Sequence, residues 1–420
     1  MPSVARGLAG YAWFGWAAAG FLTGAIAAGA SAGQVAERLG LRLAMVLAAL
    51  TYAAGCAMSA AAPGIGVFLA GRLLQGVGAG WVVGFCYVAI GQVFPERVWP
   101  RMFGAMSGVW GVASLLGPLV GGLFAAAGMW RACFWMFFAQ ALVFAVAAVK
   151  LIPAKVRGET QSRPLAAATL SVLAAAIACI ALAGVIDQAL AAGALAVAGG
   201  VLLVLAARVN RAPGQRLLPV EASRPSTRAG AGYAMIFALA AAGSVIGVYG
   251  PAVLQATHGL SPVAAGYVIC AEAGGWTLLA LVVSVQPPER HAALIVTGPL
   301  LVVAGVAGVA ASIVAAPIWL IVLAAAVQGC GYGLCWSLAS ARIMSALSPD
   351  ERGIGASAVP TAQMIGSAAG AAACGALANA LGLAHHFSRA TVDSGAPWLF
   401  AAFVPVALLG VLASLRLARR

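Results

Sequence analysis

The sequence predicts an all-α bundle of membrane-spanning helices, and three observations carry that prediction. The 420 residues are 63% hydrophobic and 8% charged, with a mean hydropathy of +1.02, whereas soluble domains carry about a quarter charged residues. The apolar residues run in continuous windows of bilayer-crossing length, about 20 residues each, rather than alternating as barrel strands do. The connections are short, which leaves no room for a soluble catalytic domain. Helices satisfy their own backbone polar groups in hydrocarbon, so continuous windows read as helices.

In chain order the windows fall at 10–32, 42–62, 66–92, 103–127, 130–152, 166–187, 189–207, 230–254, 262–284, 292–313, 317–341, 354–382 and 396–416. An odd number of spans places the termini on opposite sides. Basic residues in short loops mark the cytoplasmic side, and about 19 of the 23 lie on one side of this arrangement, from Arg38 and Arg42 to Arg416, Arg419 and Arg420. Arg6, Arg131 and Arg389 fall on the other side and Arg72 inside a span. The C-terminus is therefore expected in the cytoplasm and the segment 1–9 outside. The net charge of +13 reads as a topology signal with contacts to anionic lipid, not as a nucleic-acid footprint. The eight cysteines lie in or near apolar spans without a CxxC pair, so they read as small buried hydrophobes rather than a disulfide framework. His258, His291, His385 and His386 stand at loops or span ends with no HExxH or carboxylate set. No metal site is predicted.

The chain repeats itself. Gln75-Gly76-Val77-Gly78-Ala79-Gly80 recurs 253 residues on as Gln328-Gly329-Cys330-Gly331-Tyr332-Gly333. Pro95-Glu96-Arg97 is echoed by Pro349-Asp350-Glu351-Arg352, and Glu37-Arg38 by Glu289-Arg290. Two pseudo-repeated halves follow, as in many transporters. Residues 1–152 are predicted as an N-terminal half bundle and 229–420 as a C-terminal half bundle. Between them, 153–228 supplies two extra helices and a basic, Pro-containing cytoplasmic stretch at 208–228, the best linker candidate.

Several of these segments resemble motifs of the major facilitator superfamily. Gly33-Gln34-Val35-Ala36-Glu37-Arg38-Leu39-Gly40-Leu41-Arg42 resembles its loop between the second and third helices, with Glu37 where Asp is usual. Leu69-Ala70-Gly71-Arg72-Leu73-Leu74-Gln75-Gly76 resembles its fourth-helix motif. Gly117-Pro118-Leu119-Val120-Gly121-Gly122 resembles the fifth-helix antiporter signature, although Ala113 stands where Gly is preferred. The extra helices, followed by Arg216-Leu217-Leu218-Pro219-Val220, are similar to the fourteen-helix drug:proton antiporter branch. Met1 to Leu8 resembles the segment after that branch's first helix. The resemblance thus implies a natural protein that begins upstream, with fourteen spans and an acidic residue on the additional helix.

A charge in the bilayer core costs roughly 2.5–3.5 kcal/mol on insertion scales, so intramembrane ionisable groups are functional candidates. Arg72 and Glu272 are the proton-coupling candidates. Arg72 either lines a cavity with Gln75 beside it, or bonds carbonyls of a neighbouring helix or snorkels. Glu272, isolated in an apolar span, is a proton carrier if water reaches it, or else a permanently protonated hydrogen-bond donor or a helix-packing contact. Asp187, at an outer end, reads as a solvated cap. Trp110 with Ser114, and Trp276 with Glu272, share helix faces by i, i+4 spacing, and aromatic faces attract lipophilic cations. The same rings also suit the membrane interface. Gln363, with Gly366 and Gly370, marks another polar, closely packed face. Gly117-Pro118 loosens a helix and Gly121 and Gly122 permit close approach, which suits a conformational seal. The resemblance implies a cytoplasmic latch formed by Gly33, Glu37, Arg38, Gly40 and Arg42.

Together these point to proton-coupled efflux of small amphipathic or cationic compounds by alternating access. A monomer in a bacterial inner membrane is expected, with the proton gradient as energy source and no cofactor. Symport of a metabolite is the second reading, and a non-transporting or inactive truncated membrane protein the third. No nucleophile and base set or metal-ligand cluster marks an enzyme.

Overall fold

A computed structural model describes residues 8, 14–153, 166–184, 186, 188–212, 214–383 and 389–419. Arg6, the segment Met1 to Gly7, Lys155, Arg157, Arg163, Asp187, His385, His386 and Arg420 lie outside the described residues.

Every predicted window contains a helix. In order these are α1 (Phe14–Leu39), α2 (Leu41–Ala61), α3 (Ile65–Val93), α4 (Trp99–Ala126), α5 (Trp130–Leu151), α6 (Ala167–Ala183), α7 (Ala189–Val209), α8 (Arg228–His258), α9 (Pro262–Val283), α10 (Pro288–Ser312), α11 (Ile318–Ser345), α12 (Arg352–Ala380), α13 (Arg389–Ala401) and α14 (Val404–Ala418). The last window, expected as one helix over 396–416, begins at Arg389 and breaks between α13 and α14. Among the described residues, nine helical segments are long and apolar enough to cross a membrane, with Arg389–Ala418 as one of them. Of the other four windows, α6 is shorter, at 17 residues. Large apolar side chains face outward on these helices, as on α7, where Leu190 is 89% and Val197 68% exposed. Lipid makes that arrangement stable, since hydrocarbon offers apolar side chains as good an environment as the interior.

Helix ends follow local chemistry. Gly40 alone separates α1 from α2, at φ 76° and ψ 148°, a combination nearly confined to glycine. Thr227 Oγ1 accepts from Gly230 N at the start of α8, and Ser261 Oγ accepts from Ala264 N at the start of α9, where Pro262 occupies the first turn. Both are side-chain caps on otherwise unpaired amides.

Two compact units are present. The first contains residues 1–94, 119–223 and 347–361, and the second 95–118, 224–346 and 362–420. Two of the divisions fall inside helices, in α4 at Pro118 and in α12 beside Pro360, and another, between Ser223 and Arg224, falls in the expected linker stretch 208–228. No division falls at 152.

In the first unit α1 and α2 pack on α3, α2 also packs on α5, and α6 pairs with α7 and α1. In the second, α9 and α10 pack on α11, and α10 meets α13 and α14. The repeat is therefore structural. Gly76 and Gly80 of α3 lie so close to α1 that a methyl group at either would strike the carbonyls of Phe21 and Ala25, while Gly78 abuts Tyr52 of α2. In α11, Gly329 and Gly333 press in the same way on the carbonyls of Glu272 and Trp276 in α9, and Gly331 on Gly298 and Val302 of α10. Alternate glycines thus seat two neighbours at backbone contact, which is how helices associate where lipid removes the hydrophobic drive.

The linker candidate 208–228, in which a division between the units falls, is hydrogen-bonded in place. Asn210 Oδ1 accepts from the amides of Leu217 and Leu218 at 2.8 and 2.9 Å, and its Nδ2 donates to Leu218 O at 2.9 Å. Thr169 Oγ1 donates to Gln215 O at 2.7 Å, and Leu217 is fully buried. The polar composition that reads as a linker is the hydrogen-bonding equipment of a docked strap.

Two outcomes follow from this packing. Gly329→Ala, which drives a methyl into the Glu272 carbonyl, should cost about 1–3 kcal/mol and lower the melting temperature in detergent. Gly117→Ala, which meets nothing within 4 Å among the described residues, should leave melting unchanged. Asn210→Ala strands buried amides, at about 1–3 kcal/mol, and should speed tryptic cleavage at Arg211 and Arg216. Equal cleavage rates would show that the strap is held by something else.

Candidate functional site

Two charges enter the helices deeply, one in each unit. Arg72 lies two turns into α3. Its Nη1 donates to Gln75 Oε1 at 2.5 Å, and its guanidinium lies 4.6 Å from the centroid of Phe21 on α1. Its Nε is buried without a hydrogen-bond partner among the described residues. Gln75 is 1% exposed and its Nε2 donates to Cys56 Sγ of α2 at 3.1 Å. One carboxamide therefore ties α3's cation to α2, while the ring of α1 supplies a cation–π contact.

In the second unit Glu272 sits in the middle of α9. The other described acids stand at helix ends or between helices. Glu272 Oε1 accepts from Gln328 Nε2 of α11 at 3.2 Å. One and two turns beyond Gln328, Tyr332 and Trp336 present rings from the same helix, and Trp276 lies one turn beyond Glu272. Trp276 stacks on Tyr332 with centroids 4.9 Å apart and lies 5.1 Å from Trp336. Tyr332 also donates to Leu239 O of α8 at 2.9 Å, whereas Trp276 Nε1 is buried without a partner among the described residues. The arrangement places a carboxyl, a carboxamide, an indole donor and three aromatic rings together. Such a set can hold a proton; of its rings Trp276 is partly exposed, while Tyr332 and Trp336 are buried in the packing.

A third cluster surrounds the α1–α2 turn in the first unit. The amide of Gly33 donates to Ser357 Oγ of α12 at 3.2 Å, and a methyl on Gly33 would come within 2.6 Å of Ile354 Cα. The Glu37 carboxylate lies beside Gly353 in the first turn of α12, where a helix N-terminus favours an anion. Residues far apart in sequence thus meet here. Gln34 joins the strap: its Nε2 donates to Arg216 O at 2.8 Å and its Oε1 accepts from Ala166 N at 3.2 Å. The Arg216 guanidinium lies 3.8 Å from Glu351. Arg42, the last basic residue of this loop motif, bonds to α5. Its Nε donates at 2.6 Å to Ile152 O, closing the carbonyl end of α5, where a cation is favoured. Arg38 sits in the last turn of α1.

The remaining candidates are not gathered at these places. Trp110 of α4 is 53% exposed. Ser114 donates to the Trp110 carbonyl at 2.9 Å, while Cys270 Sγ reaches the Ser114 carbonyl at 3.8 Å. Gly111 of α4 lies against Thr277 of α9. In the Gly117-Pro118 signature, a methyl at Gly117 or at Gly121, the latter expected to permit close approach, would meet nothing within 4 Å among the described residues. Pro118 and Gly122 fall within α4. Gln363 is partly buried on α12, and its neighbours Gly366 and Gly370 do pack tightly, on the Phe237 and Ala241 carbonyls of α8.

Gln328, Tyr332, Trp336, Gln34 and Asn210 were missed as site residues. The repeat already marked Gln328, since it aligns with Gln75. The i, i+4 run of Gln328, Tyr332 and Trp336 also gives α11 one polar-aromatic face.

Comparison with known proteins adds the following. The sequence profile of the Major Facilitator Superfamily matches residues 2–312. A Mycobacterium tuberculosis protein named "Probable multidrug-efflux transporter" is 29% identical over 442 aligned positions, covering all of this chain and 90% of the relative. An Aspergillus terreus "MFS-type transporter" is 33% identical over 123 residues, 29% of this chain and 22% of that protein. Among solved structures, the human organic anion transporter MFSD10 superposes with a TM-score of 0.68 at 16% identity, over 95% of this chain and 83% of its own. The proton:xylose symporter XylE superposes with a TM-score of 0.67 at 17% identity, over 96% and 86%.

Proposed function

Because the chain belongs to the major facilitator superfamily, we propose that this multi-pass membrane transporter exports small amphipathic or cationic compounds in exchange for protons, by alternating access. The observation that carries the reading is Glu272, a carboxyl in mid-helix held by Gln328 in the unit that also holds the aromatic set of Trp276, Tyr332 and Trp336. A charge there costs roughly 2.5–3.5 kcal/mol, while a polar contact within a membrane protein returns about 0.6 kcal/mol on average. Stability alone does not account for the residue. A cycle in which it takes and gives up a proton does. The full-length relative's efflux name supports the direction of transport.

One proton moved across 100 mV is worth about 2.3 kcal/mol, or roughly a fifty-fold gradient, when the exchanged compound is neutral; a monovalent cation exchanged one for one moves no net charge, so the pH gradient alone drives it, about tenfold per pH unit. Arg72 is the second coupling residue, its charge answering the substrate or a carboxylate that approaches it. The Gly33–Ser357 and Glu37–Gly353 contacts act as a cytoplasmic-side latch that breaks and re-forms in each cycle, and Gly117-Pro118 loosens α4. The excess of basic residues in one set of loops supports a cytoplasmic C-terminus in a bacterial inner membrane.

The test is reconstitution. Glu272→Gln, which keeps shape and hydrogen bonding but not the titrating proton, should fold normally and abolish pH-gradient-driven export of a lipophilic cation from vesicles. Full coupling in that variant would remove Glu272 from the mechanism.

A further inference from the structure

The repeated helices duplicate more than glycine. Gln75 and Gln328 occupy the same place in the repeat, each 1% exposed. Each has its backbone pressed on a glycine of a third helix, Gly55 of α2 in one unit and Gly305 of α10 in the other. Those contacts fix where each side chain leaves its helix. From equivalent positions the two carboxamides then bind opposite charges. Gln75 accepts from the Arg72 guanidinium through Oε1, and Gln328 donates to the Glu272 carboxylate through Nε2.

We propose that Gln75 and Gln328 are matched positioning residues, each orienting the deep charge of its own unit, with Gln328 retaining Glu272 whether or not it carries a proton. A carboxamide is suited to this because it is both donor and acceptor. With Glu272 ionised, Nε2–H donates to the carboxylate, as the structure has it. With Glu272 protonated, its O–H can donate to Gln328 Oε1 while its carbonyl oxygen still accepts from Nε2–H. The proton enters and leaves without stranding a buried polar group, and an unpaired one would cost about 1–3 kcal/mol. This also explains why the glutamine is kept in both halves while the charge beside it changes sign: neither a carboxylate nor an ammonium could serve both neighbours. Only the role in turnover rests on the export reading. The contacts rest on geometry.

The experiment exchanges the partners. In vesicles carrying a pH gradient, with tetraphenylphosphonium as probe, Glu272→Gln should lose export, and the double variant Glu272→Gln with Gln328→Glu should recover about tenfold over it. The carboxylate–carboxamide pair is then restored in reverse. A folded double variant as inactive as Glu272→Gln would overturn the proposal. If the double variant does not fold, Gln328→Met decides: about tenfold slower export at an unchanged melting temperature supports the proposal, and unchanged export overturns it. If the wild-type chain does not move the probe, the export reading fails instead. The inference then stands on detergent melting of the single and combined Gln328→Met and Glu272→Gln variants, and of Gln75→Met with Arg72→Met. Non-additive shifts support positioning, and additive shifts overturn it.

Discussion

Backbone-to-backbone contact at α3 and α11 is the constraint on which the rest depends. Each helix spaces three glycines two residues apart, so that the first and third face one neighbour and the second faces another. In lipid, close packing replaces the hydrophobic effect as the source of helix association, and only glycine lets carbonyls of α1 and α9 come this near. The same contacts settle where the neighbouring side chains point. Gln75 and Gln328 immediately precede the glycine runs and are themselves seated on Gly55 and Gly305, so a packing solution becomes a means of aiming polar groups.

Charge is scarce in this chain, which makes its disposal informative. Several arginines are spent on helix ends: Arg131 donates to the Ala60 and Ala62 carbonyls that finish α2, Arg42 closes α5, and Arg342 reaches the Ala418 carbonyl of α14. These bonds satisfy acceptors that a helix leaves open. Arg72 and Glu272 do neither this nor capping. They sit where a charge is costly, each with a carboxamide partner, in helices that the glycine contacts hold in register. A transporter needs groups of that kind, able to change partner or proton while the scaffold around them stays packed.

The windows, the repeat and the two deep charges were legible in the sequence because each leaves a local trace: a run of apolar residues, a recurring string, or an ionisable residue among alanines and valines. What was not legible arises between segments distant in the chain. Nothing local says that Gln328 faces Glu272, or that Ser357 meets Gly33. The basic, Pro-containing stretch 208–228 reads as a linker, but its composition does not tell that Asn210 satisfies three backbone groups within it. The motif that assigns Arg42 to the latch says nothing of its bond to the Ile152 carbonyl. The antiporter signature reads as permitting close approach at Gly121 and Gly122, and a methyl at Gly121 would meet nothing within 4 Å among the described residues. Glycine is a permission for contact, and the contact itself depends on which helix arrives.

The most direct test of the account is to impose a gradient of a lipophilic cation across vesicles containing the purified protein and follow internal pH with no proton gradient applied. Proton movement opposite to the cation, in fixed proportion to it, is the predicted result. Cation flux with no accompanying proton movement would contradict the account.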